Sequence, residues 1–249
     1  MEKKFILNTT NYYRELYIDN ESRPVVVISP GGGYKYTSER ESLPVARFYN
    51  EHGFHAVVVN YRETVEEKYP MTTKYLAEVM KIVKNDNRCK SIIGLGFSAG
   101  GHCILDLSLH YKDYGIKPDL LMLGYPVVTS DERYSHIDSF KNLLKEDYNN
   151  KDLFKYVSLE TQVTPEAPDL FLFGTFTDES VNVMNSLLLL EAYKANNCNA
   201  EYHVFPMGGH GLSLGTEETA NGDPKKVLPY YTDWANYSVK WIKNKLNIE

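Results

Sequence analysis

The run Gly96-Phe97-Ser98-Ala99-Gly100 sets a serine among small residues, with Gly101 and His102 directly after it. Small neighbours permit the strained strand-to-helix turn that lifts a serine Oγ clear of the backbone, so Ser98 is the candidate nucleophile. A hydroxyl attacks a carbonyl only when a base takes its proton. Of seven histidines, His210 is the one in a glycine-rich loop, Gly208-Gly209-His210-Gly211, just past the last apolar run. His52, His55, His102, His110, His136 and His203 fall at turns, on expected helices, in an irregular stretch or inside a strand, and read as structural; His102 is the nearest rival because it adjoins the serine. The base in turn needs a carboxylate to fix its tautomer. Asp178, in Gly174-Thr175-Phe176-Thr177-Asp178-Glu179, follows another apolar run and fits that role. Glu179, Asp169, Asp223 and Asp233 are its rivals, and an N-cap for a helix starting near Val181 is the plainer use of Asp178.

Attack on a carbonyl builds negative charge on oxygen, which needs donors. Ser29-Pro30-Gly31-Gly32-Gly33-Tyr34 offers three glycines whose N–H groups can turn inward without an obstructing Cβ, and the Ala99 N–H would add the positive end of a helix. Each such donor is worth roughly 3 kcal/mol in the transition state. A phosphate-cradling loop is the alternative, but this one lacks the Lys-Ser/Thr of a Walker motif and the glycine spacing of a dinucleotide fingerprint.

These residues must be held by elements. Apolar runs at 25–28, 56–59, 92–97, 120–123, 170–173 and 202–205 alternate with helical patterns near 43–52, 72–84, 99–110, 183–196 and 230–246. Most runs are apolar at successive positions, as in strands covered on both sides, so the fold class is α/β, a mostly parallel sheet with helices on both faces. Tyr12-Tyr13 and Leu16-Tyr17-Ile18 could add one or two antiparallel edge strands. The looser stretch 130–168 reads as a lid or pocket wall inserted over the carboxyl edge, within a single domain spanning 1–249. Tyr34, Tyr125 and Trp234 are candidates for the substrate pocket, although Tyr231, Trp234, Ser238, Trp241 and Lys245 share one helical face and the spacing favours core for that set.

Composition narrows the partners. The 249 residues carry 33 Asp+Glu against 27 Lys+Arg, a net charge of −6 that repels a phosphate backbone, so nucleic acid is not expected. A mean hydropathy of −0.41 and no long apolar run exclude a membrane bundle. After Met1-Glu2-Lys3-Lys4 only Phe5-Ile6-Leu7 is apolar, short of a secretory signal, so a cytoplasmic location is expected. Cys89, Cys103 and Cys198 lie far apart without metal-ligand spacing, so neither a disulfide framework nor a zinc site is expected, and acyl transfer through a serine requires no metal or cofactor.

In order along the chain, Pro30-Gly31-Gly32-Gly33-Tyr34, Arg40-Glu41, Pro44-Val45-Ala46, Asn60-Tyr61-Arg62, Tyr69-Pro70, Gly96-Phe97-Ser98-Ala99-Gly100-Gly101-His102, Gly174 to Val181, Phe205-Pro206 and Gly209-His210-Gly211 resemble the α/β-hydrolases, within them the small esterases and lipases with an HGGG-type loop, and there the acetyl-esterase and acetyl-xylan-esterase-like branch. The resemblance runs from about Val25 to Ile242. It implies a Ser98–Asp178–His210 triad, an oxyanion hole from the N–H groups of Gly32, Gly33 and Ala99, and no cofactor. Pro30 stands where the histidine often opens the glycine loop, and Asn182 where relatives frequently have proline. The expected function is a serine carboxylesterase removing short acyl groups, acetyl foremost, from a small ester such as an acetylated sugar or oligosaccharide. An amide-cleaving enzyme (arylformamidase or small peptidase) would use the same groups, and a non-catalytic ligand-binding scaffold is the third reading. Homo-oligomer formation is left open.

Overall fold

Alternate residues of most apolar runs face different cores, while the 202–205 run is largely exposed or half-buried. Val25, Val27, Leu170 and Leu172 lie in one hydrophobic cluster, Val26, Ile28, Phe171 and Phe173 in another, which is why the runs lack a polar face. In the computed structural model, which describes residues 2–7, 11–61 and 67–248, these runs form one eight-stranded sheet. Its strands are β1 Glu2–Ile6, β2 Tyr12–Leu16, β3 Arg23–Ser29, β4 His55–Asn60, β5 Cys89–Phe97, β6 Leu120–Gly124, β7 Asp169–Thr175 and β8 Ala200–Phe205, ordered β1-β2-β4-β3-β5-β6-β7-β8. β2 pairs antiparallel with both β1 and β4, while β4, β3, β5, β6, β7 and β8 run parallel. The two amino-terminal strands are therefore the antiparallel edge that Tyr12-Tyr13 and Leu16 suggest. Arg62 lies outside the described residues.

The helices are α1 Leu43–Glu51, α2 Met71–Lys84, α3 Ser98–Leu109, α4 Tyr111–Tyr114, α5 Ile137–Leu144, α6 Lys151–Tyr156, α7 Met184–Ala195, α8 Glu217–Ala220 and α9 Pro229–Leu246. α2, α3, α5 and α7 supply buried residues to one face of the sheet, and α1 and α9 to the other. Each fully buried Val, Leu, Ile or Phe contributes about 1.5–3 kcal/mol, so two such layers fix the strand ends firmly. Because six strands are parallel, the loops after β3, β5, β7 and β8 all emerge at one edge, and they carry the glycine run, Ser98, Asp178 and His210. The stretch 130–168 lies between β6 and β7 and contains α5 and α6. Among the described residues no helix is long and apolar enough to cross a membrane.

Candidate active site

Ser98 opens α3 with φ +50°, a left-handed conformation that a non-glycine residue holds only when its surroundings impose it. Gly100 makes that turn possible: a Cβ there would lie 2.1 Å from the Ser29 carbonyl oxygen, so no other residue lets α3 pack against the end of β3.

His210 and Ser98 meet across 112 positions of sequence, with the His210 Nε2 2.8 Å from the Ser98 Oγ. On its other side the His210 Nδ1 lies 2.7 Å from the Asp178 Oδ2. A carboxylate only accepts, so Nδ1 carries the hydrogen and Nε2 is left with a lone pair for the serine O–H. The Asp178 side chain is 2% exposed and that of His210 21%. Asp178 Oδ1 accepts from the N–H groups of Ser180 (2.9 Å) and Val181 (3.0 Å), so the carboxylate caps its own turn and holds His210 at once. The helix beyond starts only at Met184, where Asn182 Oδ1 accepts from the Met184 N–H; this is what the chain has in place of proline. The acid and histidine loops are pinned together by Thr175 and Thr177, whose hydroxyls both donate to the Gly208 carbonyl.

The rivals are occupied elsewhere. Asp169 pairs with Lys245, Asp223 caps a turn, and Glu179 is exposed. His102 is buried; its Nε2–H donates to the Val157 carbonyl, which leaves Nδ1 to accept from the Tyr34 hydroxyl at 2.8 Å, and burial holds this imidazole below the ordinary histidine range. His110 pairs with Asp106, His203 with Glu201, and His52 and His55 bond backbone groups. His136 differs: its Nδ1 lies 2.8 Å from the Ser139 Oγ and it lines the same cleft as Ser98.

That cleft, about 610 Å³, is open and polar, bounded by Gly32, Gly33, Ser98, His136, Asn142 and His210 among others. Gly32 has φ +127° and Gly33 φ +63°, and a Cβ on Gly32 would sit 2.1 Å from the Tyr36 carbonyl oxygen, so the loop needs glycine there. Ala99 is the second residue of α3, where an N–H has no partner within the helix. The stretch 130–168 supplies a wall of the cleft through α5, and the Asn142 side chain donates to the Gly33 carbonyl at 2.8 Å.

Tyr34 and Tyr125 lie away from the pocket for which they were candidates, and Trp234 lies in the core that its helical spacing favoured. Tyr34 (1% exposed), Tyr125 (4%) and Trp234 (0%) are core residues that do not border the cleft. Trp234 stacks on Phe173 at 3.8 Å, and its Nε1–H donates to the Ser213 carbonyl. Tyr125 lies beneath His210, ring to ring at 4.9 Å, and Tyr34 is turned inward to His102. An aromatic hydroxyl or indole N–H with a buried partner gains more in the core than at a wet rim. Tyr36 is the tyrosine that does border the cleft, at 60% exposure.

Glu41 is the residue whose part the sequence did not disclose. Its carboxylate, 2% exposed, accepts from the Gly31 N–H at 2.7 Å and from the Tyr125 hydroxyl at 2.7 Å. Tyr125 in turn accepts from the Ser213 N–H at 3.0 Å, just beyond His210. One buried acid thus links the glycine loop to the histidine loop. With the Tyr61 hydroxyl donating to the Pro30 carbonyl, it fastens the loop that opens on proline. Pro30 in place of histidine was a cue that the glycine run needs another anchor, but nothing in the sequence singled out Glu41 over Glu39.

A family profile for the alpha/beta hydrolase fold matches residues 26–172. The chain is a member of the α/β-hydrolase family. It is 32% identical over 231 residues to endo-1,4-beta-xylanase B of Butyrivibrio fibrisolvens, covering 85% of this chain and 36% of that protein. It is 30% identical over 233 residues to the acetylxylan esterase of Xylanibacter ruminicola, covering 86% of this chain and 47% of that protein. The chain thus spans less than half the length of either relative. Among solved structures, the acetyl ester-xyloside bifunctional hydrolase of Caldicellulosiruptor lactoaceticus superposes with a TM-score of 0.82 at 29% identity, over 96% of this hydrolase and 89% of that chain. Among the described residues no group of three or more His, Cys, Asp and Glu could hold a metal ion.

Proposed function

We propose that this α/β-hydrolase is a serine carboxylesterase that removes short acyl groups, acetyl foremost, from the hydroxyls of a sugar or xylo-oligosaccharide. The observation that carries the reading is the unbroken chain from Ser98 Oγ through His210 to Asp178, with steps of 2.8 and 2.7 Å, at the edge of an open polar cleft. In this reading Ser98 attacks the ester carbonyl as His210 takes its proton, and His210 then returns the proton to the departing alcohol. Asp178 keeps the imidazole in the required tautomer and stabilises its charged form. The developing oxyanion is met by the N–H groups of Gly32, Gly33 and Ala99. Water repeats the sequence on the acyl-enzyme, which calls for no cofactor. Acetyl and sugar specificity draw support from the acetylxylan esterase and the acetyl ester-xyloside hydrolase, and from the exposed ring of Tyr36 at the cleft, a flat face suited to a pyranose. A cytoplasmic setting belongs to the same proposal, because Cys89, Cys103 and Cys198 are free thiols.

The test is an acyl-length series of aryl esters from acetate to octanoate, run beside acetylated xylo-oligosaccharides and matched formamides. Acetate and acetylated oligosaccharides are expected to lead. A fluorophosphonate should label the wild type at Ser98, and Ser98→Ala should lose both the label and turnover, on the order of 10⁴–10⁶-fold in kcat. Turnover that survives Ser98→Ala refutes the proposal, and faster formamide cleavage would move the protein to the amidases.

A further inference from the structure

We propose that the cleft takes an ester whose alcohol portion bears a carboxylate, an acylated uronic acid or an oligosaccharide substituted with one. This deepens the esterase reading and rests on it. Four cations border the cleft, Lys35, Arg40, Lys141 and Lys226, against two acids, Glu41 and Asp138. The chain as a whole has the opposite balance, 33 acidic residues to 27 basic ones, so the excess of positive charge is local.

None of the four cations makes an ion pair among the described residues, and Lys141 lies 5.9 Å from the Tyr148 ring centroid. Glu41 holds the Gly31 N–H and the Tyr125 hydroxyl and forms no ion pair with any of the four, although its charge is felt at Lys226. Arg40 and Lys226 are half-buried. Arg40 spends one N–H on the Gly211 carbonyl at 3.2 Å, beside His210, out of the five a guanidinium carries. Burial and the neighbouring Arg40 charge hold the Lys226 ammonium below the usual lysine range, against the pull of Asp223 and Glu41. Two like charges kept close and partly dehydrated are stabilised when an anion enters between them. A released acetyl group is uncharged within its ester, so the anion has to sit on the alcohol. Tyr36 would receive the sugar ring while the cations receive its carboxylate.

The experiment compares kcat/KM of the full chain for a mono-acetylated methyl glucuronoside, the equivalent glucoside and an acetylated sugar phosphate. The uronate is expected to be preferred over the neutral sugar by about tenfold at low salt, the size of one charge-assisted hydrogen bond. Raising salt from about 0.01 to 1 M should shrink that preference severalfold, mainly through KM, because the screening length drops from roughly 30 to 3 Å. Lys226→Gln and Lys35→Gln should each lower the charged-over-neutral ratio. Equal or better hydrolysis of the glucoside, or a preference indifferent to salt and to both substitutions, overturns the proposal, and a stronger preference for the phosphate overturns the carboxylate assignment. Failure of the same preparation to hydrolyse aryl acetate or accept the fluorophosphonate overturns the esterase reading instead.

Discussion

Glu41→Gln changes the chemistry of one buried group and almost none of its volume. The carboxylate now accepts two hydrogen bonds at 2.7 Å, one from the Gly31 N–H and one from the Tyr125 hydroxyl. A glutamine has one accepting oxygen. Turned toward Gly31, it leaves its NH₂ facing Tyr125, whose oxygen already accepts from the Ser213 N–H and whose hydroxyl hydrogen then has no acceptor. Turned the other way, it sets two donors, NH₂ and the Gly31 N–H, against each other. Either arrangement strands one buried donor, a loss of about 1–3 kcal/mol. At roughly 2–4 °C per kcal/mol for a chain of this size, a central value of 2 kcal/mol lowers Tm by about 4–8 °C. The second effect is on rate. Gly31 precedes Gly32 and Gly33, which line the cleft and are the proposed oxyanion donors, so a loop displaced by a fraction of an ångström would weaken that proposed contact, and kcat for aryl acetate should fall about 10–100-fold with KM changed less. Thermal unfolding followed by circular dichroism and steady-state kinetics on the same preparation give both numbers. A glutamine variant with wild-type Tm and wild-type kcat would refute the idea that Glu41 anchors the glycine loop.

Three further outcomes follow from the same geometry. Asp178→Asn should lower kcat on the order of 10⁴-fold, somewhat less than Ser98→Ala at its upper range, because an amide no longer dictates the His210 tautomer; kinetics with the fold verified by circular dichroism checks this. Trp234→Phe keeps the stack on Phe173 but deletes the indole donor to the Ser213 carbonyl, so Tm should drop by a few degrees while KM for an acetylated oligosaccharide stays put; a raised KM would return Trp234 to the pocket. Acidification should destabilise the fold below about pH 6.5. Burial depresses His55, His102 and His136, the last also through the His210 charge, so the unfolded chain binds more protons there and stability is lost as pH falls through that range. His110 opposes this: burial pulls it down but the Asp106 hydrogen bond and charge raise it overall, so its contribution is full at low pH and lost on the alkaline side. Burial also raises the Glu15 carboxyl, which favours the fold toward low pH, but the three depressed imidazoles outnumber these two groups, so Tm measured from pH 7.5 to 5 should decline, and a rise would contradict the balance.

The sheet was legible because strands covered on both faces are written in the sequence as near-continuous apolar runs; the six runs become the six parallel strands with their ends shifted by a few residues, although the last, β8, is largely exposed or half-buried. The Ser98, Asp178 and His210 positions were legible for a related reason: each lies just past a run, and parallel strands send all such loops to one edge. What spacing could not convey is side-chain direction within a loop. Tyr34 and Tyr36 are two residues apart beside the same glycines, yet Tyr34 turns inward to His102 and Tyr36 outward to the cleft, because Tyr34 takes a positive φ of 58°. Trp234 shows the opposite limit, where helical periodicity pointed to the core and the notion of an aromatic pocket pointed away from it; the periodicity was the better guide. Glu41 escaped because its partners, Gly31 and Tyr125, are 10 and 84 positions distant and no local pattern joins them.

The cross-links among these loops bear on how the site works. Arg40 donates to the Gly211 carbonyl while its own carbonyl accepts from the Ser213 hydroxyl, so the segment ahead of α1 and the histidine loop are bonded in both directions. The glycine loop is held by Glu41 at Gly31 and by Asn142 at Gly33, and the acid loop by Thr175 and Thr177 at Gly208. Each bond is modest, about 0.5–1.5 kcal/mol for a neutral pair and more for those to a carboxylate. Their arrangement matters more than their sum, because every loop that brings a group to Ser98 is bonded to an element other than its own parent strand. A loop tied at one point swings about it, whereas loops tied to each other move only if several bonds break together. These ties hold His210 within hydrogen-bond reach of Ser98. Binding contacts with the alcohol portion are then available for discriminating one ester from another, and the charged rim of the cleft is where that discrimination would be exercised.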